Sequence, residues 1–129
     1  MSVRGLGGVF IYAKDAAALV EWYRRHLGLE FQFEPSERSY YIDFVLPADP
    51  AYDRDQREVF AIRQAADPAA LVTGQFVINW RVGDLNGMLH DLRAADVQIQ
   101  REETYEYGSF AWLTDLEGNR LELFESAQR

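Results

Sequence analysis

Gly8-Val-Phe-Ile-Tyr-Ala-Lys-Asp15 and, 69 residues further on, Val77-Ile-Asn-Trp-Arg-Val-Gly-Asp84 are two versions of one pattern. Each is a short apolar run that ends at an aspartate, and each is followed by residues with helical spacing. An aspartate suits the position before a helix because its carboxylate accepts hydrogen bonds from first-turn amides that have no partner inside the helix. Behind the two caps, Ala16, Leu19, Val20 and Tyr23 superpose on Leu85, Met88, Leu89 and Leu92. That i, i+3, i+4, i+7 series places apolar side chains on one stripe. Two copies are too few for a solenoid, so the repeat predicts two fused modules that share one sheet system.

Working outward, Gly8 to Tyr12 reads as a strand and Ala16 to Leu27 as a helix closed by Gly28. Phe31 and Phe33 alternate within Leu29 to Glu34, and Tyr40 to Leu46 is aromatic and β-branched, so both stretches predict strands. The polar, proline-containing stretch from Pro47 to Arg57 suits a surface loop before a strand from Val59 to Arg63. Asp67-Pro68 and Gly74 break the connector, whose Ala-Ala-Leu-Val segment is read as a helical turn or a packing segment. The order then recurs as strand Gln75 to Val82, helix Leu85 to Ala95, and strands Val97 to Arg101, Ser109 to Thr114 and Arg120 to Glu125. Between the last two, Gly118 and Asn119 favour a tight hairpin because both accept positive φ. Two helices against about eight strands define an α+β protein. The expected organisation is a single domain over 1–129, with a first βαβββ module at 5–63, a connector at 64–74 and a second module at 75–129.

Composition narrows the partners. The 129 residues are 48% hydrophobic, enough for one packed core, and carry a formal net charge of -8. That charge disfavours nucleic acid and anionic membrane surfaces, because the averaged field repels a polyanion. Cysteine is absent, which excludes disulfides, thiolate metal sites and a thiol nucleophile. No run approaches the ~20 apolar residues of a membrane span, and the first residues lack the apolar core of a signal peptide, so a cytoplasmic location is expected. No serine lies in a nucleophile-elbow context, and no glycine-rich loop precedes the Lys and Ser/Thr that cradle phosphate.

The tail Trp112-Leu-Thr-Asp-Leu-Glu-Gly-Asn-Arg-Leu-Glu-Leu-Phe-Glu125 resembles the closing hairpin of the glyoxalase, bleomycin resistance and extradiol dioxygenase group, the vicinal oxygen chelate superfamily. That group runs Asp-Pro-x-Gly-Asn-x-x-Glu-hydrophobic, and here Leu116 replaces the proline. Lys-Asp15 and Val-Gly-Asp84 look like the first turn of each of its modules, and Trp22-Tyr23-Arg-Arg-His-Leu27-Gly28 looks like its aromatic, aromatic, x, x, x, Leu-Gly motif. The resemblance implies two βαβββ modules, each a partly open sheet curved around a cup that is often completed in a homodimer. Members use the cup to chelate a substrate on a divalent metal or simply to hold a ligand.

In metal-dependent members, a His, Glu or Gln lies seven residues before the capping aspartate of each module, and a Glu lies in each last strand. Those positions are Gly8, Val77, a point near Phe60 with Glu58 of the same parity, and Glu122. Only Glu122 is a clear match. A divalent ion with open positions needs roughly three protein ligands, so no metal or other cofactor is expected. A hard-oxygen set of Glu122, Asp43 and Asn79 could hold Mg²⁺ or Ca²⁺ weakly. His26 and His90 fall on the helices, away from the cup-lining strands.

Strand alternation gives the expected lining. Phe10 and Tyr12 follow Gly8; Asn79 and Arg81 follow Val77; Arg120 and Phe124 accompany Glu122; Glu58 and Ile62 accompany Phe60. Tyr41, Asp43 and Trp112 complete a wall of Phe10, Tyr12, Tyr41, Phe60 and Trp112 around Asp43, Asn79, Arg81 and Glu122. Such a lining suits a flat or amphipathic organic molecule, although period-two aromatics also serve as ordinary core and Glu122 could simply pair with Arg81. The leading expectation is a metal-independent protein resembling the bleomycin-resistance branch, holding an aromatic or cationic small molecule as a homodimer. The alternatives are a divergent lyase, isomerase or dioxygenase using Glu122, with Asp43 as a second candidate for acid/base work, and an interaction module with a filled cup.

Overall fold

The computed structural model describes residues 3–128, arranged in two compact units. The residues through Arg24 together with Leu29–Leu71 form one unit, and Arg25–Gly28 together with the residues from Val72 onward form the other. The first carries β1 (Gly8–Ala13), α1 (Ala16–Leu27), β2 (Gln32–Glu34), β3 (Ser39–Val45) and β4 (Arg57–Gln64). The second carries β5 (Val77–Arg81), α2 (Leu85–Ala94), β6 (Arg101–Tyr105), β7 (Gly108–Thr114) and β8 (Arg120–Ser126). A 3₁₀ turn, Pro68–Ala70, follows β4 within the first unit.

The sheets have the same topology, β1-β4-β3-β2 and β5-β8-β7-β6. In each, the first strand pairs parallel with the last and the remaining pairs are antiparallel. The helix between the first and second strands supplies the crossover that a parallel pair requires. Its apolar stripe is the one the spacing predicts. Leu19 and Tyr23 are fully buried in the first module, and Leu85, Leu89 and Leu92 are buried in the second. The sheet residues buried with them are Ile11, Ala13, Phe60 and Ile62, and, in the second unit, Ile78, Ala111, Leu113, Leu121 and Leu123.

Both helices start the same way. The Asp15 carboxylate accepts from the Ala18 amide at 3.1 Å, and the Asp84 carboxylate accepts from the Gly87 amide at 3.0 Å. A second acceptor comes from the last strand: Gln64 Oε1 takes the Ala16 amide at 2.9 Å, and Glu125 Oε1 takes the Leu85 amide at 2.9 Å. Two first-turn donors of each helix are thereby satisfied, one locally and one through the fold. Helix α1 leaves through Gly28 at φ 68°, whereas Asp96, at φ 61°, follows α2. Aspartate tolerates that left-handed backbone better than most residues with a β-carbon.

Three elements differ from the sequence reading. The second strand begins at Gln32 rather than Leu29, and the connector turn, Pro68–Ala70, takes in only the first two residues of the Ala-Ala-Leu-Val segment. The sixth strand is Arg101–Tyr105 rather than Val97–Arg101. The alternation of Val97 and Ile99 is spent on leaving the helix, where the Val97 amide donates to Leu92 O at 2.9 Å, and ladder pairing starts with the Gln100 amide on Trp112 O at 2.8 Å. Charge-rich Arg-Glu-Glu-Thr-Tyr is an edge strand, where exposed charges discourage further pairing.

Candidate functional site

Each sheet has one face buried with its helix and one open face, and the register assigns side chains to them. In the first sheet Ile11 and Ala13 are buried, while Phe10 and Tyr12 remain 49% and 54% exposed. Phe10 pairs with Ala61, Ala61 with Tyr41, and Val59 with Asp43, so Phe10, Tyr41 and Asp43 share the open face. Phe60 does not. It pairs with Val9 and Ile42, is 4% exposed, and its ring lies 5.5 Å from Tyr23 and 6.1 Å from Phe31. The expectation that Phe60 lines the ligand face is therefore corrected: counting β4 one residue off reverses the face, and Glu58 and Ile62 share the parity of Phe60.

The open face of the first sheet forms a groove of about 570 Å³ whose charged groups are largely engaged with one another. Arg63 lies 4.6 Å from the Phe10 ring centroid and pairs with Glu37 at 3.1 Å. Asp43 pairs with Arg57 at 3.3 Å, and the Tyr41 hydroxyl donates to Gln32 at 2.9 Å. The Ser36 hydroxyl and then its amide, at 2.6 and 2.9 Å, hold the Glu34 carboxyl below its usual range by bonding its charged form.

The open face of the second sheet is laid out in rows across its strands. One row is Val77, Arg120 and Thr114; the next is Asn79, Glu122, Trp112 and Arg101; the third is Arg81, Phe124, Phe110 and Glu103. Asn79 Nδ2 donates to Glu122 Oε2 at 2.9 Å, so the partner of Glu122 is the neighbouring amide and not Arg81. Phe110 stacks between Trp112 at 5.7 Å and Phe124 at 4.7 Å, and Arg101 sits 4.0 Å over the Trp112 ring. Gly108 makes room for this arrangement, since a β-carbon there would come within 2.4 Å of the Phe124 ring. Tyr105 and Tyr107 extend the aromatic surface at the hairpin end, 5.9 and 5.8 Å from Phe110.

The repeat also identifies the first-module counterpart of Glu122, the position that the resemblance marks for a metal ligand. Glu122 pairs with Asn79, Asn79 corresponds to Phe10, and Phe10 pairs with Ala61. The counterpart of Glu122 is thus Ala61, and at the positions that the resemblance marks for metal ligands the first unit carries Gly8 and Ala61 and the second Val77 and Glu122. At Gly8 a β-carbon would stand 2.5 Å from Val59 O, so this position cannot carry a ligating side chain without moving β4. Among the described residues no group of three or more His, Cys, Asp or Glu is placed to hold a metal ion. The Asn79 amide turns its N–H to Glu122, and Asp43 is engaged with Arg57, so each of these side chains already has a protein partner. These residues do not fit a divalent ion. His90 is exposed on α2; His26, near the end of α1, is held below its ordinary pKa by partial burial and then by the charge of Arg25.

Sequence reasoning missed Phe110 and Arg101. Phe110 was accessible from the alternation of β7, two residues before Trp112; Arg101 required the true start of β6, which only the pairing reveals. Among the described residues no helix is long and apolar enough to cross a membrane.

A family model described as the Glyoxalase/Bleomycin resistance protein/Dioxygenase superfamily matches residues 5–123. No curated protein matches the sequence. Solved structures with the same fold include a lactoylglutathione lyase from Agrobacterium tumefaciens, 14% identical over 97% of this chain and 96% of that one, with a TM-score of 0.66. An integron cassette protein from the V. cholerae mobile metagenome is 15% identical over 97% of both chains, with a TM-score of 0.68. A fosfomycin resistance protein from Mesorhizobium loti is 12% identical over 98% and 95%, with a TM-score of 0.65. At these identities the likeness is one of fold.

Proposed function

The chain belongs to the glyoxalase/bleomycin resistance protein/dioxygenase superfamily, and we propose that within it this protein binds an aromatic or cationic small molecule without a metal. The observation that carries this reading is the replacement of three of the four metal-holding positions by Gly8, Ala61 and Val77, with β4 backbone blocking the first. A carboxylate alone holds a divalent ion poorly. What the open faces offer instead is aromatic surface, from Phe10 and Tyr12 on one sheet and from Trp112, Phe110 and Phe124 on the other. Aromatic surface of this kind, exposed on the first sheet and half-buried on the second, provides affinity through apolar contact and stacking, while a few polar groups orient the ligand. Asp43, Asn79, Arg81 and Glu122 are the orienting groups in this proposal, and Glu122 and Asp43 serve as binding carboxylates rather than as acid and base.

Titration of chelator-treated protein with planar aromatic compounds, followed by tryptophan fluorescence and calorimetry, tests the reading. Saturable binding that survives the chelator, and that Trp112→Leu weakens by about tenfold, is expected, a loss that corresponds to about 1.4 kcal/mol. Stoichiometric Ni, Zn, Fe or Mn in purified protein, removed by chelation together with an enzymatic activity, would overturn it in favour of a divergent lyase, isomerase or dioxygenase. A homodimer is part of the proposal, since two-fold pairs are the commonest assemblies. Light scattering should give about twice the 14.9 kDa of the chain.

A further inference from the structure

Two arginines lie toward one end of the second sheet's open face. Arg101 opens β6 and sits over the Trp112 ring; Arg120 opens β8 and pairs with Val77. Both line a small cavity of about 250 Å³, together with Gln100 and Trp112. Among the described residues neither arginine has a carboxylate partner, although the protein carries an excess of acidic side chains. Glu102, the nearest carboxylate along β6, is taken by Arg93 of α2.

We propose that this cavity receives the oxyanion of an aromatic acid, with the aromatic body lying along Trp112 and Phe110. The inference rests on the small-molecule-binding reading above and specifies the charge of the ligand. A guanidinium presents several N–H donors in a planar fork that matches a carboxylate, and one already stacked on an indole loses little freedom on binding. The cavity is smaller than the usual ~300–1,000 Å³ of a drug-sized pocket, so it takes the head of the ligand and leaves the rings to the aromatic row outside it. Glu122 shares the row of Arg101 and Arg81 that of Glu103, so the direction comes from the cavity itself, whose lining holds both arginines and no carboxylate. Val77, the partner of Arg120, is one of the positions from which a metal would be held, so the positive charge at this end is supplied by the chain itself.

Three matched probes test this: 2-naphthoate, neutral 2-naphthamide and cationic 2-naphthylmethylammonium, each titrated calorimetrically at low and moderate salt. Naphthoate should bind about tenfold more tightly than the amide, and Arg101→Gln with Arg120→Gln should remove that preference while the circular dichroism spectrum and melting temperature stay unchanged. Equal affinity for all three probes, or tighter binding of the ammonium compound, would overturn the anion subsite and leave the small-molecule-binding proposal standing. Failure of every probe to bind would count against both. Preference for naphthoate that survives the double substitution would show that the anion is held elsewhere, and would overturn the assignment to these arginines.

Discussion

The two sheets are built alike and lined differently. Both have the parallel first-to-last pairing, the aspartate cap and a side chain of the last strand, Gln64 or Glu125, on the first helical amide. On the open faces the likeness ends. The first sheet places Phe10, Ala61 and Tyr41 in a groove whose arginines are engaged, Arg63 by Glu37 and Arg57 by Asp43. The second places a stacked aromatic row beside two arginines that, among the described residues, no carboxylate engages. Residues that satisfy backbone donors or fill the helix-covered face are held in place by the cost of leaving a polar group or a cavity behind, whereas open-face residues carry no such penalty. Duplication thus preserved the scaffold while leaving the lining free to diverge.

The comparison predicts, first, that the cores are equivalent. Leu19→Ala and Leu89→Ala each remove a buried leucine and should each cost about 3 kcal/mol by urea denaturation. A cost below about 1 kcal/mol in only one of them would show that the modules are not equally packed. Next, the loops should differ sharply. Asp115 is buried and accepts from the Glu117 and Asn119 amides at 2.9 and 3.0 Å and from the Asn119 side chain at 2.8 Å, so Asp115→Ala should cost about 2 kcal/mol. In the first module the corresponding loop is exposed, and Asp49→Ala, which loses one bond to the Ala51 amide, should cost less than about 0.5 kcal/mol.

A third contrast concerns the two first-strand positions. Gly8→His should destabilise by about 2 kcal/mol, because its β-carbon meets the Val59 carbonyl, while Val77→His, at a site 43% exposed, should change the melting free energy by less than about 1 kcal/mol. Equal tolerance at both positions would remove the steric argument against a ligand at Gly8. The smallest effect is expected from His26, where the second helix has Ala95 instead. Its pKa is lowered in the folded chain, so the unfolded chain binds the proton more readily, and stability falls as pH drops below the ordinary histidine range near ~6.5. His26→Gln should flatten that slope in thermal melts between about pH 7 and pH 5.

Much of this was legible in the chain. The caps, both helices and the Asp-x-x-Gly-Asn hairpin rest on contacts between residues close in sequence, and Gly118 at φ 86° is a local requirement of the turn. The faces of Phe10, Tyr12, Asn79, Arg81 and Glu122 followed from alternation within one strand. Phe60 shows where that logic stops: its face depends on pairing with Val9, and long polar loops do not transmit register. Arg101 shows the same limit, since Val97 to Gln100 alternate as a strand would but serve to leave the helix.

The sequence by itself determined that the chain is a duplicated βαβββ scaffold, that it carries Glu122 as its one clear match to a metal-holding position, and that it is rich in aromatic residues suited to an open face. Only the tertiary structure decided that Ala61 rather than Phe60 mirrors Glu122, that Asn79 is the partner of that carboxylate, and that Arg101 lies over Trp112 beside a cavity that Arg120 shares. The physical reason is that periodicity reports which residues of one strand share a side, whereas hydrogen-bond register between distant strands decides which of them meet.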